Sequence, residues 1–422
     1  MYIKKVKIKN VRAIEKFEMS FPNPAGWHVL IGDNGAGKST IIRTLALALV
    51  GSEEIIGIQP DWNNWLKWNE NSGGVTLTIK KDKVDIWVNE KLAPDAATFD
   101  INIHWNRVEN KYVILDNQTI LEKYPYQHEF WRSRSGWFSA GYGPFRRFTG
   151  GSSEKDKVFP NPSFSKLASH LSLFGEDVAL SEATNWLMNL KFQTLEVKIS
   201  SNILENLKTL INSPDFLPHH SQLIDISSDG VIFKDGNGAQ ITVTQMSDGY
   251  RSILSLTFEL LRQLIRVYGE ESVFKKVQKG IMEIDVPGVV LIDEIDAHLH
   301  PTWQTRIGQW FTKFFPKIQF IVTTHSPLVC RAAEKGSIWR LAAPGSENPS
   351  GEVLKEEKEK LLYGNILDAY GTELFGDTPV KLAKTDEKAE RLGQLNILKA
   401  LGKINKNDDE ERNILLKTLS SL

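Results

Sequence analysis

Alternation of apolar and polar residues predicts β-strands in the first part of the chain and again near its middle. Two alternating segments at the start predict a β-hairpin, with inward positions Ile3, Val6 and Ile8, then Phe17, Met19 and Phe21. Three later runs predict an antiparallel sheet, with apolar positions Val75, Leu77 and Ile79, then Val84, Ile86 and Val88, then Phe99, Ile101, Ile103 and Trp105. Three short strands are predicted at Leu223–Ile226, Val231–Phe233 and Ile241–Thr244.

Three other apolar runs lack this alternation, which is typical of strands buried on both faces of a parallel sheet. They are Trp27–Ile31, Val289–Ile292 and Ile318–Thr323. Helices are predicted at 166–212, at about Asp248–Val267 and through much of 352–422. Strands that alternate with helices predict an α/β fold with a mixed sheet, to which an antiparallel β subdomain is added.

These patterns divide the chain into four regions. Residues 1–118 hold the first part of the α/β domain and its antiparallel subdomain. Residues 119–245 form an inserted lobe, which is aromatic and irregular up to residue 165 and helical after it. Residues 246–345 complete the α/β domain, and 346–422 form a helical C-terminal region.

The composition is that of a soluble protein without an excess of either charge. The net charge of −1 shows no overall basic character of the kind that nucleic-acid binding favours. The one cysteine, Cys330, excludes an intramolecular disulfide, and no apolar run has transmembrane length, so we expect a cytoplasmic protein without membrane contact. Two arginine pairs leave open either a DNA-facing patch or an ordinary solvated surface; they are Arg132 with Arg134 and Arg146 with Arg147.

Residues 32–39 read Gly-Asp-Asn-Gly-Ala-Gly-Lys-Ser, the sequence of a phosphate-binding P-loop. The motif follows a predicted strand and precedes an apolar helix, so backbone amides and the helix N-terminus would surround a phosphate. Lys38 would reach the β- and γ-phosphates, and the Ser39 hydroxyl would bind Mg²⁺. The candidate nucleotide-binding residues here are Gly32, Asn34, Gly35, Gly37, Lys38, Ser39 and Thr40.

Two acids, Asp293 and Glu294, follow the apolar run Val289–Ile292. Ligands of parallel sheets bind where strands end, so both acids are expected to face the nucleotide. Asp293 would hold Mg²⁺ through its water shell, and Glu294 would polarise the water that attacks the γ-phosphate. An Asp-Glu pair alone often just ends a strand, but the complete P-loop favours the catalytic interpretation.

His325 follows the buried run that ends in Thr323 and Thr324. If this strand lies between the P-loop strand and the Asp-Glu strand, His325 faces the γ-phosphate and could sense hydrolysis. A lone histidine at this position is more often a loop residue. Its predicted placement favours the catalytic role.

The segment Gln245–Ser252 directly precedes the long amphipathic helix. Ser247 could simply cap that helix. Gly249, however, lowers helix propensity, which a plain cap does not require. A small residue at this place would allow the amides of the helix N-terminus to approach an anion, so Ser247 and Gly249 are candidate phosphate-binding residues.

These four motifs, in this order, resemble the ABC-class ATPases of the SMC, RecF and overcoming-lysogenisation-defect branch. The resemblance implies ATP and Mg²⁺ as cofactors and two heads that dimerise, in which Ser247 and Gly249 of one chain contact ATP held by the other. It also implies that Arg12, in Asn10-Val-Arg, lies near the nucleotide, and that Asp296–Pro301 is the D-loop region. The Q-loop glutamine is not assigned, since Gln59 and Gln127 are both poor matches.

Three other features admit a structural interpretation as well as a functional one. His298 and His300 could suggest a metal site, but no third ligand is apparent. Seven tryptophans between Trp62 and Trp137 could stack on bases or pack in a core. The segment Phe138–Arg147 resembles one in anti-phage defence ATPases of the Septu and PARIS type, and it could equally be a structural turn.

The leading hypothesis is an ATP-hydrolysing switch of a prokaryotic anti-phage defence complex that controls a separate effector, expected to be a nuclease. Neither Asp-x-Asp after His325 nor an HNH-like histidine cluster is present, so we expect no nuclease site in this chain. The stretch Leu362–Phe375 could bind the effector. The alternative is a RecF-like DNA-binding ATPase clamp of DNA repair. A transporter subunit and a scaffold that does not hydrolyse ATP explain the motifs less well.

Overall fold

A computed structural model describes most of the chain. The described residues are 1–55, 62–87, 89, 94, 96–109, 112–115, 125–132, 136–144, 165–174, 181–195, 202–217, 220–227, 230–345, 349–364, 383–401 and 403–419. The strands are β1 (Tyr2–Val11), β2 (Ile14–Ser20), β3 (Gly26–Gly32), β4 (Ser72–Lys80), β5 (Thr98–Val108), β6 (Tyr112–Leu115), β7 (Ser139–Tyr142), β8 (Gln222–Ser227), β9 (Gly230–Lys234), β10 (Gln240–Thr242), β11 (Gly288–Ile292), β12 (Ile318–Thr323), β13 (Ser337–Leu341) and β14 (Gly351–Glu352).

The α-helices are α1 (Lys38–Val50), α2 (Ser52–Ile55), α3 (Pro125–Arg132), α4 (Ser165–His170), α5 (Ser181–Leu195), α6 (Ile203–Ile211), α7 (Asp248–Tyr268), α8 (Glu270–Val273), α9 (Pro301–Phe314), α10 (Pro327–Cys330), α11 (Lys355–Tyr363), α12 (Ala383–Ala400) and α13 (Lys406–Leu419). In the described part of the chain, none of them has both the length and the apolar composition that a bilayer-spanning helix needs.

The central sheet has six strands in the order β14-β13-β3-β12-β11-β7. All neighbouring pairs are parallel except β13 with β14. The buried apolar runs predicted from the sequence form β3, β11 and β12, which confirms a parallel core for the α/β fold. The carboxyl ends of these three strands therefore lie along one edge of the sheet.

The antiparallel subdomain is a five-stranded sheet in the order β2-β1-β4-β5-β6. Its apolar face shares one hydrophobic core with α1 and with part of the central sheet, through residues such as Ile8, Leu45, Leu77 and Leu291. A second core joins the other face of the central sheet to α7, α9 and the three-stranded sheet β10-β9-β8. The helices α1 and α7 therefore pack on opposite faces of the central sheet.

One predicted strand is wrong. The run Val84–Val88 was expected to be extended, but residues 81–87 form a turn and irregular backbone, while Val88 lies outside the described residues. The carboxylates of Asp82 and Asp85 accept hydrogen bonds from the amides of Val84 and Asp82. Such local bonds compete with a β-ladder, and they explain why the alternation misled the prediction.

A second correction concerns the stretch 119–165, which was expected to be irregular and to belong to an inserted lobe. Within it, β7 joins the central sheet beside β11, and α3 is helical. A side chain at Gly141 would meet Leu173 Cδ1 at 2.3 Å, so this glycine allows the segment after α4 to pack directly on β7. The short strand was missed because two glycines within six residues gave a loop signal.

Candidate nucleotide-binding site

The P-loop connects β3 to α1, as the motif requires. Gly37 has φ +96°, and a Cβ there would lie 3.3 Å from Ile14 of β2. A Cβ on Gly32 would lie 2.8 Å from the carbonyl oxygen of Leu341. Both positions therefore need glycine for the loop to close against its neighbours. Ser39 and Thr40 lie half-buried in the first turn of α1.

The Lys38 side chain folds back over its own loop. Its Nζ donates to the carbonyl oxygens of Gly32 and Asp33, at 2.7 and 3.0 Å. Burial lowers the pKa of this ammonium below its usual value, and the nearby carboxylates of Asp293 and Glu294 offset part of that shift. The P-loop lysine and the two acids, 255 and more residues apart in sequence, are thus close enough to interact.

The order of the strands explains this proximity. β12 lies between β3 and β11, so the strand that ends at Thr323 separates the P-loop strand from the Asp-Glu strand. Thr323 is in register with Leu30 of β3, and Val322 is in register with Ile292 of β11. The strand that precedes His325 therefore lies between the P-loop strand and the Asp-Glu strand, which is the position that the catalytic interpretation of His325 requires.

A threonine that the sequence did not single out organises the two acids. Thr323 Oγ1 donates to Asp293 Oδ1 at 2.6 Å and accepts the backbone amide of Glu294 at 2.8 Å. Asp293 is buried, and its own amide donates to the carbonyl oxygen of Tyr142 at 2.8 Å. Glu294 is half-buried and has φ +48°, a left-handed conformation that is uncommon outside glycine. Hydrogen bonds from Thr323 of β12 and Tyr142 of β7, the two strands beside β11, therefore hold the turn that follows β11.

His325 begins the chain segment that leaves β12. It is half-buried, and its amide donates to Asp296 Oδ2 at 3.4 Å. The other carboxylate oxygen of Asp296 is buried without a partner among the described residues. Asp296 also raises the pKa of Lys38, so it is a further acid near the P-loop. The sequence placed it only in the D-loop region.

The side chains present fit Mg²⁺. A serine hydroxyl (Ser39) and a buried carboxylate (Asp293) are hard oxygen ligands of the kind that Mg²⁺ prefers. The described residues contain no cluster of three or more His, Cys, Asp or Glu side chains that could hold a metal alone. Mg²⁺ commonly needs only one or two carboxylates, because water and nucleotide phosphates supply its other ligands.

Arg12 lies in the turn between β1 and β2, with φ +52°. Its guanidinium stacks 4.4 Å above the Trp65 ring. Burial lowers its pKa, and the positive charge of Arg43 on α1 lowers it further. Arg43 was not found from the sequence, and its Nε is buried without a partner in the described structure. The two guanidiniums are thus near enough to interact, and they form a local excess of positive charge beside α1.

Ser247 and Gly249 lie at the N-terminus of α7. Ser247 is exposed at the N-cap position, and its side chain makes no capping hydrogen bond. Within 4 Å of a Cβ built on Gly249 are only His298 O and Leu299 Cδ2, so this segment contacts the D-loop region of its own chain rather than the P-loop. At this end of α7, Ser247 is therefore exposed to solvent, while Gly249 packs against the D-loop region.

The remaining sequence candidates have structural partners or lie outside the description. His300 caps α9 through Nδ1, which accepts from the Thr302 amide. Gln127 is buried, and its Oε1 accepts from the amide of Asn102 at 2.7 Å. Gln59, Arg134, Arg146, Arg147 and most of Leu362–Phe375 lie outside the described residues, as does the Arg132 side chain.

Comparison of the chain with protein-family models gives a match to one family. Residues 28–331 match the family described as "AAA domain, putative AbiEii toxin, Type IV TA system". The match covers the P-loop, the Asp-Glu pair and His325. The chain belongs to this AAA-domain family.

Two proteins similar to this chain have names that refer to a retron ATPase and to Septu. It is 37% identical over 153 residues to "Retron Ec83 probable ATPase" of Escherichia coli, which covers 35% of this chain and 27% of that protein. It is 27% identical over 344 residues to "Septu protein PtuA" of Bacillus mycoides, which covers 80% of this chain and 40% of that protein. The chain therefore matches less than half the length of these two relatives. The predicted resemblance to Septu-type ATPases is confirmed.

Two further matches are more distant. "Retron Vc95 probable ATPase" of Vibrio cholerae is 24% identical over 424 residues, which cover 82% of this chain and 77% of that protein. Among solved structures, the SMC head domain from Thermotoga maritima matches 84% of this chain and 100% of that chain, with 14% identity and a TM-score of 0.42.

Proposed function

We propose that the protein binds ATP with Mg²⁺ and hydrolyses it, and that Glu294 polarises the attacking water. The observation that carries this proposal is the position of β12 between β3 and β11, which gathers the P-loop, the Asp-Glu pair and His325 at one sheet edge. Lys38 and the P-loop amides would bind the β- and γ-phosphates, while Ser39 and Asp293 would hold the metal. Membership of an ATPase family supports the same reaction.

The second part of the proposal is that ATP joins two copies of the chain head to head. Ser247 is exposed and makes no capping bond, and Gly249 lies beside His298 and Leu299 of its own chain. A helix N-terminus with a serine and a small residue suits the γ-phosphate of a nucleotide held by a partner. ATP would then act as the joint between two heads, and hydrolysis would release them.

The third part is that this switch controls a separate effector, a nuclease, in a prokaryotic anti-phage defence complex. The relatives named Septu PtuA and retron ATPase support this assignment. The proposed docking elements are the stretch Leu362–Phe375 and the helices beyond it, α12 and α13.

The wild type and two variants of the full chain test the ATPase proposal. The wild type should hydrolyse ATP only with Mg²⁺. Glu294→Gln should bind ATP, hydrolyse it at least about a hundredfold more slowly, and accumulate as an ATP-bound dimer in analytical ultracentrifugation. Lys38→Ala should neither bind nor hydrolyse ATP. A wild-type protein that fails to bind ATP would refute the proposal, and affinity purification from the native host would identify the effector.

One observation supports the RecF-like alternative, in which the ATPase binds DNA. Lysines occupy three successive outward positions of β1, namely Lys5, Lys7 and Lys9. Lys9 is directly opposite Lys16 of β2, and like charges opposed across strands destabilise a sheet. Lys5 and Lys16 both lie within 4 Å of Glu18, whereas no ion pair of Lys7 or Lys9 is seen in the described structure. This face of the subdomain has the charge and the spacing to bind a polyanion.

A further inference from the structure

Among the seven tryptophans between Trp62 and Trp137, one differs in its environment. Five are buried, and Trp87 is half-buried, so these six serve core packing. Trp68 is 84% exposed, more than any other large hydrophobic side chain in the described structure. A fully exposed indole ring is a common anchor of protein interfaces, where tryptophan is strongly enriched.

The backbone that carries Trp68 is held firmly in place. The amide of Lys67 donates to Asn10 O at 3.1 Å, and the amide of Glu70 donates to Lys67 O at 3.1 Å. The Lys67 ammonium pairs with Glu15 of β2 at 2.8 Å. The exposed ring is therefore presented from a preorganised turn, which reduces the entropy that binding would cost.

This turn lies on the P-loop side of the molecule. Residues 65–67 bond to Asn10 and Arg12 at the β1–β2 connection and to Glu15 of β2, and Ile14, the first residue of β2, approaches Gly37 of the P-loop. Trp68 thus lies in a turn that is bonded to the β1–β2 connection, which in turn borders the P-loop; we call this region the P-loop rim. Nothing within the described chain covers it.

The opposite half of the site carries a groove. An open cleft of about 560 Å³ lies between the three-stranded sheet and the start of α7, and Ser247 forms part of its wall. Its apolar lining comes from Ile241, Met246 and Tyr250, and Asp235 and Gln245 add polar atoms. Such a lining suits an indole, which needs apolar contact for its ring and an acceptor for its N–H.

We propose that Trp68 of one copy of this chain inserts into the groove beside Ser247 of a second copy when ATP joins the two heads. The inference rests on the proposed head-to-head pairing. That pairing places the P-loop rim of each chain against the Ser247 side of the other, so a twofold axis generates the same contact twice. Trp68 of one chain and the groove of the other would then form an apolar contact beside each ATP. Closure of the dimer would therefore depend on residues from both chains.

The first experiment measures the ATP-dependent dimer constant of Glu294→Gln by analytical ultracentrifugation, with and without Trp68→Ala. We expect dimerisation to weaken roughly tenfold or more, with ATP affinity unchanged. Tyr363→Ala, which removes another exposed aromatic side chain (69% exposed), is the matched control and should leave the constant unchanged. If Glu294→Gln does not dimerise at all, the proposed function fails; if the dimer forms equally well without Trp68, only this inference fails.

The second experiment identifies the occupant of the groove. The photoreactive residue p-benzoylphenylalanine replaces Trp68 in the Glu294→Gln chain, and cross-linked peptides are mapped after irradiation with and without ATP. We expect an ATP-dependent cross-link between two copies, in peptides that contain Ile241 to Tyr250. A dimer whose cross-links map elsewhere would overturn the inference and leave the groove to another partner.

Discussion

Thr323 and Asp293 are joined by a hydrogen bond of 2.6 Å, in which the threonine hydroxyl donates to the carboxylate. The same hydroxyl accepts the amide of Glu294, so one side chain fixes the acid proposed to bind the metal and the backbone of the acid proposed to activate water. Because Thr323 ends the strand between the P-loop and the Asp-Glu pair, it determines how the two acids face the P-loop.

Replacement of Thr323 by valine should therefore impair hydrolysis more than ATP binding. The variant removes the two hydroxyl bonds, to Asp293 Oδ1 and from the Glu294 amide, so we expect kcat to fall about 10- to 100-fold, as for other residues that orient metal ligands. Half-saturation by Mg²⁺ should need a higher concentration, while ATP affinity should change little. Thr323→Ser keeps the hydroxyl and should restore most of kcat. A valine variant with kcat within twofold of wild type would show that Thr323 does not position the acids.

Ser247→Ala should separate ligand binding from helix capping. A serine whose side chain caps a helix contributes about 1 kcal/mol, but Ser247 makes no such bond. The free energy of unfolding should thus change by less than about 0.5 kcal/mol, a typical range for surface substitutions. Dimerisation of the Glu294→Gln chain with ATP should weaken markedly. Urea unfolding and ultracentrifugation measure the two effects, and a stability loss without a dimerisation defect would support the capping role alone.

Gly249→Ala provides a companion test. Alanine has the higher helix propensity, but its methyl group would lie 3.2 Å from the backbone oxygen of His298, closer than most Cβ contacts; because these two effects oppose each other, the net change in stability should be small. The methyl group would also obstruct an anion at the helix N-terminus. ATP-dependent dimerisation should fall even though the fold is retained. Normal dimerisation would remove Gly249 from the proposed site.

The sequence predicted those parts of the site that are contiguous in the chain. The P-loop, the Asp-Glu pair and the helix α7 each have a local pattern, and the apolar runs around them identified the parallel core. Thr323 was missed as an organiser because its role depends on the register between β11 and β12. Arg43 and the unpartnered oxygen of Asp296 depend likewise on packing between distant elements. Such contacts leave no signal in a single sequence.

Two buried histidines predict that stability falls in mild acid. Burial lowers the pKa of His28 to about 4 and that of His170 to about 4, against 6.5 for a free side chain. Between pH 6.5 and 4 the unfolded chain therefore binds protons that the folded chain does not, so the free energy of unfolding decreases as the pH falls. Each histidine contributes a slope of up to about 1.4 kcal/mol per pH unit.

The measurement is urea unfolding at several pH values between 7 and 5. His28→Gln should be less stable at pH 7, because bonds to Ser337 Oγ and Pro24 O are disturbed, but its stability should depend less on pH. The exposed His298 offers the control, and His298→Gln should retain the wild-type slope. Equal slopes for all three proteins would show that the buried His28 does not cause the acid sensitivity.

Substitution of the exposed lysines of β1 tests whether this face binds DNA or is an ordinary solvated surface. Lys7 and Lys9 lie two residues apart on one strand, which places them about 7 Å from each other. If both contact phosphates, Lys7→Gln with Lys9→Gln should weaken DNA binding and reduce the slope of log K against log salt by about 2, since each contact contributes about 0.9. Fluorescence anisotropy with labelled duplex DNA at several salt concentrations gives both quantities.

Lys388→Gln with Lys403→Gln removes two exposed lysines from the C-terminal region and should leave the slope unchanged. An unaltered slope in the β1 variant would exclude this face as the DNA contact, whereas ATPase activity should be the same in both double variants.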